Sequence, residues 1–128
     1  MTAERLLEAP HVDDRGSLQV LWRHGGGSVV RIVSRQGTRR ANHWHREDSH
    51  LCFVESGSIY YLERAVGSNE PPREEVFHAG QAFYTGPNVE HAMVFLQDTV
   101  FLTFSPRERT QVDYEADLVR LQAPLAVR

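Results

Sequence analysis

The 128-residue sequence contains no lysine and only one cysteine, Cys52. All fourteen cationic side chains are therefore arginine, and seventeen acidic residues bring the formal net charge to -3. A weakly acidic chain is not expected to bind nucleic acid or an anionic membrane surface in general. A single cysteine excludes an intrachain disulfide framework and is consistent with a reducing compartment, so we expect a cytoplasmic protein.

Long apolar runs are also missing from the sequence. No segment approaches the roughly 18 apolar residues that a membrane-spanning helix needs. The first eight residues, Met1–Glu8, lack the apolar stretch of a signal peptide. A chain of this length in which 41% of the residues are hydrophobic is expected to form one domain over residues 1–128.

Short β-branched and aromatic segments, separated by glycine, proline and asparagine turns, make up most of the chain. About nine of them recur at intervals of roughly 8–12 residues, which predicts an antiparallel sandwich or barrel. The expected strands are Leu18–Trp22, Val29–Val33, Arg39–Trp44, Leu51–Glu55, Ile59–Arg64, Glu74–His78, Ala82–Thr85, His91–Phe95 and Thr99–Phe104. We expect a turn over Pro10–Ser17. A short helix is expected over Asp113–Leu121, which begins with acidic residues and is stopped by Pro124.

Three histidines, His43, His45 and His50, lie within eight positions, and a fourth, His91, begins a later expected strand. Side chains on a strand repeat with a period of two residues, so His43 and His45 are expected to share one face. Two neutral imidazoles on one face can bind a transition-metal ion. The alternative is a pair of solvated histidines at a strand edge.

The spacing around these histidines resembles the two sequence motifs of the cupins. The first motif is matched along its whole length by Gly37, His43, His45, His50 and Gly57, and the second is similar to Gly80–His91. The second match is weaker, because its Pro-x-Gly is replaced by Gly86-Pro87-Asn88. The resemblance covers residues 29–104. It implies an all-β fold, a double-stranded β-helix or jelly-roll barrel, here with a short C-terminal helix.

The resemblance also implies a divalent metal ion held by His43, His45, His91 and a glutamate, whose position is taken here by His50. An all-histidine site leaves the charge of the ion without a carboxylate to offset it, which should make a bound water more acidic. Nitrogen ligands suit zinc or iron best, with nickel, copper or manganese as alternatives. A site of three histidines, with His50 beside it as a catalytic group, is the other arrangement.

Three further segments resemble the nucleotide-sugar ketoisomerase branch of the cupins, which acts on 4-keto-6-deoxy sugars attached to a nucleotide. They are Asp14–Leu18, Tyr84–His91 and Thr110–Glu115. That branch uses histidine as an acid/base without requiring a metal, which implies that His43 or His45 moves a proton next to a ketone. The additional histidines are more typical of a metal cupin, such as a dioxygenase or a polyketide cyclase of the four-histidine zinc type.

Strand alternation predicts the surroundings of the site. We expect His45 and His50 to be catalytic, and a set of polar side chains to hold the substrate: Arg31, Arg39, Tyr61 and Tyr84. Side chains that share a strand face with the histidines should also point inward. They are Arg39, Ala41, Cys52, Val54, Met93 and Phe95.

The sequence thus predicts a metal-binding enzyme that performs acid/base chemistry of the isomerase, epimerase or cyclase type. Its substrate would be a small oxygenated molecule, for example a nucleotide-linked keto-sugar. A non-haem iron dioxygenase and a non-enzymatic sugar- or metal-binding module are the alternatives. We expect a small-molecule partner, no nucleic acid, no membrane, and a homodimer whose interface includes the N-terminal strands or Tyr60 and Tyr61.

Overall fold

The computed structural model describes residues 7–108 and 110–126, and within these residues it contains eleven strands and one helix. The strands are β1 His11–Asp13, β2 Gly16–His24, β3 Gly27–Ser34, β4 Arg39–His45, β5 His50–Ser56, β6 Ser58–Ala65, β7 Arg73–His78, β8 Ala82–Thr85, β9 Val89–Phe95, β10 Thr99–Ser105 and β11 Leu118–Arg120. The helix, α1, is Gln111–Asp117. All nine expected strands are present.

The strands form two antiparallel sheets. The six-stranded sheet has the order β1-β2-β3-β10-β5-β8, and the five-stranded sheet has the order β11-β4-β9-β6-β7. After β3, consecutive strands alternate between the sheets except for β6 and β7, which form a hairpin within the five-stranded sheet. This winding is expected for a double-stranded barrel. The all-β jelly-roll prediction is confirmed.

The core lies between the two sheets and follows from the alternation of side chains along each strand. On β3, Val30 and Ile32 are buried while their neighbours face outward. They pack in one cluster with residues of both sheets, among them Val54, Phe101 and Phe95. The inward orientation that we expected for Cys52, Val54, Met93 and Phe95 is confirmed, since all four are buried in this cluster.

The C-terminal segment packs on the outer face of the five-stranded sheet. Leu125 is buried against Leu62 and Ala92, and Leu121 and Tyr60 pack around them. This cluster excludes water from a sheet face that would otherwise expose its apolar side chains.

Side-chain amide and guanidinium groups of β4 hold this segment in place. The Asn42 amide oxygen accepts a hydrogen bond from the backbone N–H of Leu125 at 2.8 Å. The Arg39 guanidinium donates to the Leu125 carbonyl at 3.0 Å. The backbone of the C-terminal segment is thereby tied to the strand that carries His43 and His45.

Two expected boundaries were wrong. The helix ends at Asp117, because Leu118–Arg120 leaves the helix and pairs with His43–His45 as an edge strand. A three-residue pairing of this kind depends on a partner some 75 positions away and has no local signal. The turn expected over Pro10–Ser17 is shorter, since His11–Asp13 pairs with the start of β2. Among the described residues, no helix is long and apolar enough to cross a membrane.

Candidate metal centre

Strand β4 contains a bulge that determines which of its side chains reach the interior. Ala41 and Asn42 have positive φ angles of 65° and 64°. The pairing with β9 shifts by one residue at this point, between Ala41 and His43. Because a bulge reverses the alternation of faces, Arg40 rather than Arg39 is buried on the same side as His43.

Three histidines meet at one end of the barrel interior. Ligand nitrogens of His43, His45 and His91 lie within 4.8 Å of one another, and all three residues are buried. The imidazole centroid of His43 is 4.8 Å from that of His45 and 4.8 Å from that of His91. His43 and His91 are direct cross-strand partners, so the β4–β9 register itself brings them together.

Hydrogen bonds outside the cluster fix the orientation of two of these rings. The Nδ1 atom of His45 lies 3.1 Å from the carboxylate of Asp117. The Nδ1 atom of His91 lies 2.9 Å from the Val89 carbonyl. A carbonyl only accepts, so His91 carries its proton on Nδ1 and keeps a lone pair on Nε2. Carboxylate and carbonyl partners of this kind orient metal-binding imidazoles in proteins.

The His91 imidazole is held in its neutral form. Burial lowers the pKa of His91 from 6.5 to about 4, against the opposing effect of the hydrogen bond to Val89. Only a neutral imidazole can bind a metal ion. His91 is therefore ready to act as a ligand throughout the neutral pH range.

Asp117, at the end of α1, connects the C-terminal region to the histidines. Although burial alone would raise the pKa of Asp117, backbone N–H groups of Glu47 and Asp48 and the His45 ring hold it below its usual value. The two backbone hydrogen bonds measure 2.9 and 3.1 Å. The side chain is thus an ionised, buried acceptor for the Nδ1–H of His45.

His50 belongs to a second, adjoining group of donors. Ligand atoms of His45, Asp48 and His50 lie within 4.8 Å of one another. The Nε2 atom of His50 is 3.4 Å from the Asp48 carboxylate, whose other oxygen accepts a hydrogen bond of 2.6 Å from the Ser105 hydroxyl. The four histidines expected to bind one metal are therefore arranged as a group of three, with His50 beside it and directed towards Asp48.

The histidines line a cavity of about 680 Å³. Its wall combines arginines, aromatic rings and core side chains from both sheets and from α1. The wall includes His43, His45, His50, His91, Arg40 and Tyr114. The Tyr114 ring lies 6.2 Å from the His43 ring and 5.7 Å from the His45 ring, measured between centroids. A cavity of this size can hold a small molecule.

None of the four residues expected to bind substrate lines this cavity, and three of them lie on outer faces of the sheets. Arg31 and Tyr84 lie on the outer face of the six-stranded sheet, where Tyr84 is 62% exposed. Arg39 points outward because of the β4 bulge and binds Leu125. The structure therefore does not place these three side chains with the histidines, because strand alternation was extended through a bulge or applied without knowledge of which face is internal.

Tyr61 is inside the barrel, 4% exposed, next to the cavity wall. Its hydroxyl lies 2.5 Å from the hydroxyl of Thr85, a wall residue. Burial raises the pKa of Tyr61 well above its usual value, so the phenol stays protonated. It can position Thr85, and through Thr85 a bound molecule.

Sequence reasoning missed Arg40, Asp48, Asp117 and Tyr114. Asn42 was the available signal for Arg40, because asparagine tolerates the left-handed conformation that a bulge uses. Asp48 lies two residues before His50, which takes the glutamate position of the first cupin motif, so the motif spacing does not indicate it. Asp117 and Tyr114 lie on a helix about 70 residues from β4, and nothing local to them indicates where the helix packs.

The donor set fits a divalent transition metal. Three neutral imidazole nitrogens are soft enough to select zinc, iron, nickel or copper over magnesium or calcium, which prefer oxygen. Three protein ligands also leave coordination positions for water or substrate, as catalytic sites require. The prediction of a divalent metal ion is supported at this level.

The chain has the double-stranded β-helix fold of the cupins. No protein-family model matches the chain, and no curated protein matches its sequence. Among solved structures, it is similar to the capsular polysaccharide assembling protein CapF from Staphylococcus aureus, with a TM-score of 0.81 and 22% identity over 94% of this chain. The match covers 35% of the CapF chain, so the protein spans about a third of the length of that neighbour.

Two further neighbours have the same fold at greater distance. KdgF from Halomonas sp. matches with a TM-score of 0.68 and 14% identity, over 85% of this chain and 91% of KdgF. Oxalate decarboxylase from Bacillus subtilis matches with a TM-score of 0.71 and 16% identity, over 89% of this chain and 30% of the enzyme. At these identities the likeness establishes the fold alone.

Proposed function

We propose that the protein is a metal-dependent enzyme that moves a proton next to a carbonyl group of a small oxygenated substrate, as an isomerase, epimerase or cyclase does. One observation carries the proposal. His43, His45 and His91 converge within 4.8 Å on the wall of a 680 Å³ cavity that also contains a fourth histidine. A bound divalent ion would supply Lewis acidity to polarise the carbonyl oxygen.

His50 is the residue that we assign to proton transfer. It is buried at the cavity wall, and the Asp48 carboxylate 3.4 Å from Nε2 holds the ring in position. Asp48 is in turn fixed by Ser105. A histidine oriented by a carboxylate is a common general acid/base, because its proton can be gained or lost near neutral pH.

Tyr114 provides a second group that can donate a proton. Its ring lies beside the rings of His43 and His45 at the cavity wall, and it comes from α1 rather than from a strand. Isomerisation and epimerisation need one group to remove a proton and one to return it. The pair of His50 and Tyr114 would meet that requirement.

Arg40 supports a substrate that carries an oxyanion. Its guanidinium is 7% exposed at the cavity wall and is fixed by the Ser34 hydroxyl at 2.6 Å and the Val33 carbonyl at 3.3 Å. An arginine held in this way can bind a carboxylate or phosphate through two parallel hydrogen bonds. A nucleotide-linked keto-sugar has both the carbonyl and the phosphates.

The similarity to CapF supports the same substrate class. CapF is a capsular polysaccharide assembling protein, and one of its structures contains the inhibitor 3-isopropenyl-tropolone. Tropolones present two adjacent oxygens, an arrangement that binds a metal ion. A small oxygenated ligand on a histidine-bound metal is what the present cavity would accept.

Exchange of the proton next to the carbonyl tests the proposal. The zinc- or iron-loaded protein is incubated in deuterium oxide with a nucleotide-linked 4-keto-6-deoxy sugar, and deuterium uptake at the adjacent carbon is followed by NMR. We expect uptake that His50→Gln reduces by about 10²- to 10⁴-fold, the usual contribution of a general acid/base. The exposed His78→Gln serves as the matched control and should leave uptake unchanged.

Absence of exchange across a panel of keto-sugars and small ketones would contradict the proposal. Binding of those sugars without exchange would instead identify a sugar-binding module. The two results are separated by measuring binding with the same ligands by calorimetry.

An oxygenase is the second candidate, and the three-histidine group favours it. Three ligands leave more coordination positions for O₂ and substrate together than four would. Oxygen consumption by the iron-loaded protein with candidate substrates would establish this function. No consumption by the iron form, with exchange by the zinc form, would exclude it.

A further inference from the structure

The outer face of the six-stranded sheet presents rows of apolar side chains across five adjacent strands. One row runs through paired positions of β2, β3, β10, β5 and β8: Trp22, Val29, Phe104, Leu51 and Tyr84. The next row begins with the polar Gln19 and Arg31 on β2 and β3 and continues with Leu102, Phe53 and Ala82 on β10, β5 and β8. Because the side chains in a row are cross-strand neighbours, they form a continuous surface.

Large side chains in this surface are exposed to solvent. Tyr84 is 62% exposed, Trp22 49%, Leu51 43% and Phe104 39%. Scattered apolar residues are normal on a protein surface, but a continuous patch that spans a whole sheet face marks an interaction site. We call this surface the apolar sheet face.

The five-stranded sheet shows how the chain treats the corresponding surface on its other side. There Leu62 and Ala92 are 1% and 0% exposed, because Leu121 and Leu125 of the C-terminal segment pack on them. No described segment of the chain packs on the apolar sheet face in the same way, since its central side chains keep the exposures given above.

We propose that a second copy of this chain covers the apolar sheet face, in a symmetric dimer that packs the two six-stranded sheets against each other. Five strands about 4.8 Å apart, each about seven residues long at about 3.3 Å per residue, give the whole outer face of this sheet a projected area of about 550 Å². The relief of the side chains makes its accessible surface larger. A stable interface needs about 800 Å² of accessible surface from each partner. The outer face, with the apolar sheet face within it, is comparable in size to one such contact.

Charge placement favours a copy of the same chain over an unrelated partner. The charged outward side chains of the three central strands are Arg31 on β3 and Glu55 on β5, one on each side of β10. A two-fold axis along β10 places β3 of one copy over β5 of its partner. Arg31 of one copy then lies opposite β5 of the other copy, one row away from Glu55 on that strand. The two-fold symmetry gives the dimer two such pairs of opposite charge.

This surface keeps the N-terminal strand β2, through Trp22, from the interface expected from the sequence, but not Tyr60 and Tyr61. Tyr61 is buried inside the barrel, and Tyr60 packs under the C-terminal segment and donates a hydrogen bond to Glu74. Neither side chain is placed to meet a partner. The inference depends on the exposed face alone and holds whatever reaction the metal centre performs.

Sedimentation velocity at micromolar concentration tests the proposal. We expect a dimer for the wild-type chain and a monomer for Leu51→Glu, because two glutamates would be buried in an apolar contact. Leu96→Glu is the matched control, since Leu96 is 44% exposed in the turn after β9 and lies outside the apolar sheet face. It should remain dimeric. Circular dichroism of both variants shows that neither change unfolds the protein.

A cross-linking experiment locates the interface without weakening it. Phe104→Cys on β10 should be cross-linked to its counterpart by a short bis-maleimide, whereas Leu96→Cys should not. A monomeric wild-type chain would overturn the proposal. A dimer that Leu51→Glu leaves intact, or one cross-linked through position 96 and not 104, would overturn it as well.

Discussion

The two ends of the barrel interior differ in chemistry although the same strands build both. Along β5 the inward side chains change from His50 to Val54, and along β9 they change from His91 to Phe95. At one end, Phe95 and Phe101 are 1% and 0% exposed and stack at 5.6 Å. At the other end, imidazoles occupy the inward-facing positions of these strands and surround the cavity.

This difference indicates a division of tasks within one small sandwich. Close packing at the apolar end stabilises the fold, since each buried side chain there contributes through apolar burial and dispersion. The histidine end buries polar groups, which is costly unless they are bound to partners or to a metal ion. Substitutions at the two ends should therefore have separate effects on stability and on metal binding.

The largest effect is expected at the apolar end. Phe101→Ala should lower the free energy of unfolding by about 3–5 kcal/mol, because it removes a fully buried ring and leaves a cavity in a closed part of the core. Urea denaturation measures this loss. Leu96→Ala, at an exposed site, should change stability by less than about 0.5 kcal/mol. Similar losses at both sites would contradict the division of tasks.

The histidine end should make the metal-free protein sensitive to acid. The unfolded chain binds a proton at His91 below pH 6.5, and the folded chain does so only below about 4. Stability therefore falls as the pH decreases from 6.5 to 4, with a maximum loss from this residue of about 3 kcal/mol. Denaturation of chelator-treated protein at several pH values gives this slope. His91→Gln should make it shallower, and His78→Gln should not.

A smaller effect is expected when the orientation of His45 is disturbed. Asp117→Asn removes the negative charge that accepts the Nδ1–H of His45 at 3.1 Å. Metal affinity should fall by about 10- to 100-fold, as is usual for such partners of ligating histidines. Competition with a chromogenic chelator measures the change. Glu115→Gln, on the same helix but exposed and paired with Arg120, should bind metal like the wild type.

The smallest effect concerns the N-terminus of α1, the helix that carries Tyr114 and Asp117. The Thr110 hydroxyl accepts a hydrogen bond from the Asp113 backbone N–H at 3.2 Å. Thr110→Ala should lower stability by about 1 kcal/mol, whereas Thr110→Ser should retain most of it. Equal losses in both variants would show that the hydroxyl does not cap the helix.

Much of the barrel could be predicted from the sequence because its signals are local. Period-two alternation and turn residues located all nine expected strands, and the spacing of His43, His45 and His91 indicated three residues that the structure brings together. Local patterns of this kind survive folding wherever a strand is regular.

The rest depended on irregular or distant features. The bulge at Ala41 and Asn42 exchanged Arg39 for Arg40 at the cavity wall. Asp117 lies beside His45, 72 positions earlier in the sequence, only because β11 directly follows Asp117 and pairs with β4. Neither a bulge nor the return of a distant segment leaves a periodic signal in the sequence.

The metal content of the protein purified without chelator tests the central claim most directly. We expect about one equivalent of a divalent transition metal in the wild type, with loss of most of it in His43→Ala and retention in His78→Ala, measured by mass spectrometry of the elements. His50→Ala should retain the metal if three histidines hold it. A wild-type protein that takes up no metal even when zinc or iron is supplied, or a His43→Ala variant that binds it fully, would contradict the account.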